Sequence, residues 1–182
     1  MSLQAFANAI QSTSLSTVLK DHSWVVPCMQ SVHIIMVGVV FVSILMISAR
    51  VLGWLRADEP LQRVWNRFSP FLWAGLAVMA ATGAVLTIAE PVRELMTLSF
   101  RLKMILLVVC ITSAVFFGRS ARSAVGVAGA GAARPITAGM RATAIITLIL
   151  WVAIIFLGRA IAYDNSVWGT WSPVQSLGGA AT

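Results

Sequence analysis

The sequence predicts an all-α integral membrane protein, a four-helix bundle with a short interfacial N-terminal helix. Three observations carry this. Hydrophobic residues make up 59% of the 182 and charged residues only 10%, where soluble domains run at roughly a quarter charged; the mean hydropathy is +0.89. Four apolar runs each come close to the ~20 helical residues that cross a ~30 Å hydrocarbon layer. The arginines flank those runs instead of forming a stripe interleaved with aromatics. The net charge of +7 therefore points to membrane topology and not to nucleic acid.

In chain order, residues 1–23 form an interfacial N-terminal segment. "LQAFANAI" and "LSTVLK" place apolar residues at helical spacing, which suits one or two helices lying at the membrane surface. This stretch has no basic n-region and no small-residue cleavage site before its first apolar run, so a cleaved signal peptide is not expected. The four-span domain is 24–163. Its first span covers Trp24 to Ala49 and its second Pro70 to Ala89, bracketed by Pro70 at a helix start and Pro91 beyond the end. The third covers Phe100 to Phe117 and the fourth Ala142 to Tyr163. Between the last two, "SAVGVAGAGAARP" reads as a flexible Gly/Ala linker. Residues 164–182 form a C-terminal tail, read as a loop whose Trp168 and Trp171 suit the headgroup zone.

Basic residues set the expected direction. Arg50, Arg56, Arg63 and Arg67 lie between spans one and two, and Arg119, Arg122, Arg134 and Arg141 between spans three and four. The other side holds Lys20, Arg93, Arg101, Lys103 and Arg159. Eight against five places the two arginine loops in the cytoplasm and both termini outside, in the periplasm of a bacterial inner membrane. The two cysteines, Cys28 and Cys110, fall in different apolar runs with no CxxC or CxxCH spacing. A disulfide framework, a zinc site and covalently attached heme are unsupported.

His33 is the chemical anomaly. It interrupts the apolar run "PCMQSVHIIMVGVVFVSILMIS", roughly 12–14 Å below the outer helix end at ~1.5 Å per residue. An imidazole at that depth needs a partner and marks a functional-site candidate. The outer ends of the other spans carry Glu90, Arg101, Lys103, Arg159 and Tyr163, so one layer gathers these groups with His33. Each has a plain reading: snorkelling for the cations, a belt aromatic for Tyr163, a helix–helix hydrogen bond for His33. His22 lies in a polar stretch and reads as solvated. Met29, His33 and Met36 share one helix face, as packing or as a soft-ligand stripe for Cu(I).

"WVVPCMQSVHI", "ARVLG" at 49–53, "FRLK" and the "GRAIAY" that closes span four together resemble a family of uncharacterised bacterial four-span membrane proteins, over most of the chain. Where that family often carries an acidic residue three positions before the histidine, this chain has Gln30. The His in span one, the Thr-Gly in span two and the Lys opening span three are distantly similar in arrangement to the HemJ-type protoporphyrinogen oxidases and the CopD-type copper-resistance proteins. The resemblance to the HemJ type implies b-type heme at His33 and Lys103.

The expectation is thus a heme b protein near the periplasmic face, serving electron transfer or membrane-linked oxidoreduction. His33 and Lys103 would ligate the iron, Arg101 and Arg159 would hold propionates, and Tyr163 would donate to the same group. Expected partners are the lipid bilayer, a quinone or periplasmic redox protein, and a second copy or larger complex; no nucleic acid is expected. No second histidine lies within a span, so a partner chain is another source for the sixth ligand. The alternatives are copper handling through Met29, His33 and Met36, and a non-catalytic membrane subunit or assembly factor.

Overall fold

The computed structural model describes residues 2–55, 57–127 and 136–173, with side chains in all of these but 120–127. The described residues are helical and contain no strand. Four helices are long and apolar enough to cross a membrane. The elements are α1 (Leu3–Gln11), α2 (Ser14–Asp21), α3 (Val25–Leu52), α4 (Leu61–Ala89), α5 (Pro91–Met96), α6 (Leu98–Val127), α7 (Ala138–Ala160) and α8 (Asp164–Trp168), with 3₁₀ turns at Ile161–Tyr163 and Gly169–Trp171.

Local chemistry sets the helix ends. Ser2, Thr13 and Thr137 are N-caps whose side chains accept from the backbone N–H three residues on. After α3, Gly53 takes φ +79°. Its N–H bonds Arg50 O at 3.2 Å and Trp54 N–H bonds Ala49 O at 2.9 Å, a Schellman ending that requires the left-handed conformation glycine tolerates.

Several boundaries differ from the hydropathy reading. Pro70 lies inside α4, not at its start. The helix begins at Leu61 because its first turns are amphipathic: Val64 and Trp65 are buried, while Arg63 and Arg67 belong outside hydrocarbon. The backbone bond that Pro70 removes is tolerated in a span packed by neighbours. α6 continues through Val127, into the segment expected to be a flexible linker from Ser123. Its alanines favour helix after the apolar run has ended. The rest of that linker, 128–135, lies outside the described residues. The tail expected to be a loop instead folds into α8 and a 3₁₀ turn as far as Trp171; residues 174–182 lie outside the described ones. Two N-terminal helices form, α1 and α2.

α3 packs along α4 and α6 along α7, α3 also meets α7, and α4 and α6 meet over a much shorter stretch. All four spans contribute to one core of Val40, Ile44, Leu72, Met79, Cys110, Trp151 and Ile154. Close approach of α3 and α4 depends on Gly75, where a Cβ would come within 2.7 Å of Val40 Cγ2. Outward faces carry Ile35, Phe71, Val108, Phe116, Ile149 and Phe156 exposed, which suits lipid contact. α1 rests on α5, α2 on α4 and α3, and α8 on α6. These short helices roof one end of the bundle, the end nearer His33.

Candidate functional site

His33 is half-buried one-third of the way along α3. Its Nδ1 lies 2.8 Å from Thr82 Oγ1 on α4. The next residue, Gly83, leaves the edge of the ring uncovered: a Cβ there would sit 3.4 Å from His33 Cε1. Lys103, in the second turn of α6, crosses to α7, where a Cβ at Gly158 would sit 3.6 Å from its Nζ. Its charge acts on His33 on one side and on Glu94 of α5 on the other. The span-one histidine, the Thr-Gly of span two and the lysine of span three therefore share one layer.

Glu94 is the acidic member of that layer, and the sequence reading gave it no role. Burial pushes its carboxyl above the usual carboxylate range, Lys103 and Arg93 pull it down, and Glu90 adds to the rise. Glu90 itself pairs with Arg93 at 2.6 Å on the partly exposed rim.

The remaining expected residues are divided between two places. Arg101 donates its Nε–H to Leu95 O at 3.2 Å, which ties α6 to the last turn of α5. Arg159 stacks over the Tyr163 ring at 5.4 Å, and both are exposed at the rim. Tyr163 also lines a cleft of about 550 Å³ beneath the roof, with Lys20, Glu90, Arg93, Met96 and Asp164. His22 is exposed and its Nδ1 contacts Val18 O at 2.9 Å in its own helix, apart from the His33 layer. On the methionine face, Met36 packs against the hydrophobic core and Met29 is half-buried.

A second cluster was not foreseen. Asp164 is only 4% exposed and accepts four hydrogen bonds. Leu98 N–H (3.3 Å) and Ser172 Oγ–H (2.6 Å) reach Oδ2, while Ser99 N–H (3.0 Å) and Ser99 Oγ–H (2.6 Å) reach Oδ1. Trp168 Nε1–H donates to Ser99 Oγ at 2.8 Å. Asp164 thus caps the start of α6 from the far side of span four, where free N–H groups and the helix dipole favour a carboxylate. The local signal was a lone acid just past "GRAIAY"; its partners at the start of α6, Leu98 and Ser99, are more than sixty residues away in sequence.

No group of three or more His, Cys, Asp or Glu side chains that could cage a metal ion occurs among the described residues. A porphyrin would ask the protein for one or two further ligands, and His33 and Lys103 are of residue types that could supply them. No family model, no curated protein and no solved structure matches this chain.

Proposed function

We propose that this is a bacterial inner-membrane protein that binds b-type heme near the periplasmic face and serves electron transfer or membrane-linked oxidoreduction. The observation that carries the reading is the juxtaposition of His33 with Thr82, Gly83 and Lys103. It offers an intramembrane imidazole with one ring nitrogen engaged, a lysine whose charge reaches it, and glycines beside the ring edge and beside the lysine Nζ. The family resemblance of the sequence motifs supports the same reading.

Bound heme supplies one-electron redox chemistry. His33 would hold it from α3. Lys103 would act as second ligand or as the partner of a propionate. Arg101, whose Nε–H is given to Leu95 O, would offer its terminal nitrogens to the second propionate. Arg159 and Tyr163 sit further out, on the rim. A quinone in the bilayer and a periplasmic redox protein are electron partners of matching chemistry. Copper handling is less well supported, because Met36 is part of the packing against the core.

Heme per chain tests the proposal. Wild-type protein expressed with ample heme should carry a b-type spectrum that His33→Ala loses. Lys103→Ala should lower retention or shift the Soret band, and Lys103→Arg separates ligation from propionate pairing, since arginine pairs but does not readily ligate. A colourless wild type rejects the assignment.

Orientation is part of the proposal. The eight-to-five split of basic residues in the sequence supports a cytoplasmic position for the loops that join spans one to two and three to four. Reporter fusions after Gly126 should then read cytoplasmic and fusions after Gly178 periplasmic; the reverse pattern moves the His33 layer to the inner face.

A further inference from the structure

The Thr82 hydroxyl faces three groups. Oγ1 lies 2.8 Å from Val78 O and 3.2 Å from Met79 O in its own helix, and 2.8 Å from His33 Nδ1. A hydroxyl has one proton and two lone pairs. Carbonyl oxygens only accept, so the two carbonyl contacts use the hydroxyl proton, as a threonine in a helix ordinarily does. The contact to Nδ1 then requires the proton to be on Nδ1.

The opposite assignment fails on satisfaction. If Thr82 donated to a bare Nδ1, the neutral ring would carry its proton on Nε2, which makes no hydrogen bond among the described residues. An unmet N–H in a half-buried, hydrocarbon-level site is costly. With the proton on Nδ1, every proton of the pair has an acceptor.

We infer that Thr82 is a positioning residue that holds His33 in the Nδ1–H form and presents the Nε2 lone pair as its metal-binding atom. The ring's direction is set from α4, so the ligand is fixed before any cofactor arrives. The last step rests on the heme reading: were heme bound through His33 Nε2, the Nδ1–H bond to Thr82 would raise the electron donation of the imidazole, as outer hydrogen bonds to ligating histidines do.

The chain has two histidines, so His22→Asn leaves His33 as the single ring for ¹⁵N NMR of the apo protein at alkaline pH. Free histidine favours the Nε2–H form. The expected wild-type result is therefore the less common one, a protonated Nδ1 and a bare Nε2. Thr82→Ser should keep it, and Thr82→Val, close in shape, should move the proton to Nε2. An Nε2–H ring in the Thr82 protein, or identical spectra for Thr82 and Thr82→Val, overturns the inference whatever the cofactor is. In heme-loaded protein, Thr82→Val should hold heme about 10–100-fold more weakly and show a more positive midpoint potential, with Thr82→Ser near wild type. Unchanged retention and potential in Thr82→Val refutes the role at iron. If the NMR result holds but the wild type takes up no heme, the heme reading fails while the positioning of His33 by Thr82 stands.

Discussion

The two ends of this bundle are held together by different means. At the roofed end, hydrogen bonds and charges link the helices. Asp164 joins span four to the start of span three, Trp168 closes on Ser99, and His33 reaches Thr82 across the α3–α4 seam. At the opposite end the described joints include close steric ones. Trp65 packs against Phe117 with ring centres 5.6 Å apart, and it covers Gly118 so closely that a Cβ there would fall 2.5 Å from Trp65 Cζ2. Arg50 reaches across its loop to Glu59 O at 2.6 Å. Shape fixes helix spacing wherever small and large residues fit. Directional bonds fix side-chain orientation as well, and a ligand needs that. The proposed heme site draws on the oriented groups of the roofed end.

The contrast breaks most visibly at Asp164. Replacing it by alanine leaves two backbone N–H groups and two hydroxyls without their acceptor, and should destabilise the protein by about 3 kcal/mol or more. Thermal unfolding in detergent should show a clear loss in Asp164→Ala and a smaller one in Asp164→Asn, which keeps one acceptor oxygen. A variant as stable as wild type would mean that the cluster does not join the spans.

At the other end, Gly118→Val must displace the Trp65 ring. Overpacking of this kind costs about 1–3 kcal/mol. The loss should be recovered in part by Trp65→Leu in the same chain, because the smaller side chain gives the valine room. Strictly additive losses in the double variant would show that the two residues do not share the joint.

The smallest effect sharpens the electrostatic side of the comparison. Glu94 has its carboxyl raised in the fold by burial, with Lys103, Arg93 and Glu90 as the charges around it. The native state therefore holds its proton more tightly than the unfolded chain does. The resulting stability is present below the ordinary carboxylate range and is lost as pH rises through the raised value. Stability of the wild type should fall across that window, and Glu94→Gln should flatten the curve. A wild-type curve that rises through the window would instead mean that Lys103 and Arg93 outweigh burial.

The sequence exposes the spans because hydropathy is a local property, and it exposes His33 because one ionisable group in an apolar run stands out. It conceals the helix ends. Pro70 looks like a start because proline often is one, whereas the amphipathic turns before it extend α4 back to Leu61. Ser123 to Val127 look like linker because small residues end the hydropathy signal without ending the helix. The partners are concealed for a different reason. Thr82 lies 49 residues from His33 and Asp164 lies 65 from Ser99, and nothing local to either marks the pairing. Nothing local marks Glu94, whose place in α5 puts it within reach of the Lys103 charge.

The most direct test compares the two ends through one signal, the reduced-minus-oxidised difference spectrum of purified protein. His33→Ala and Gly118→Val are measured beside the wild type at equal folded protein. The account predicts a b-type spectrum in the wild type, its loss in His33→Ala, and its retention in Gly118→Val despite the lower stability of that variant. A full b-type spectrum in His33→Ala, or equal loss in both variants, would contradict a heme site at the roofed end.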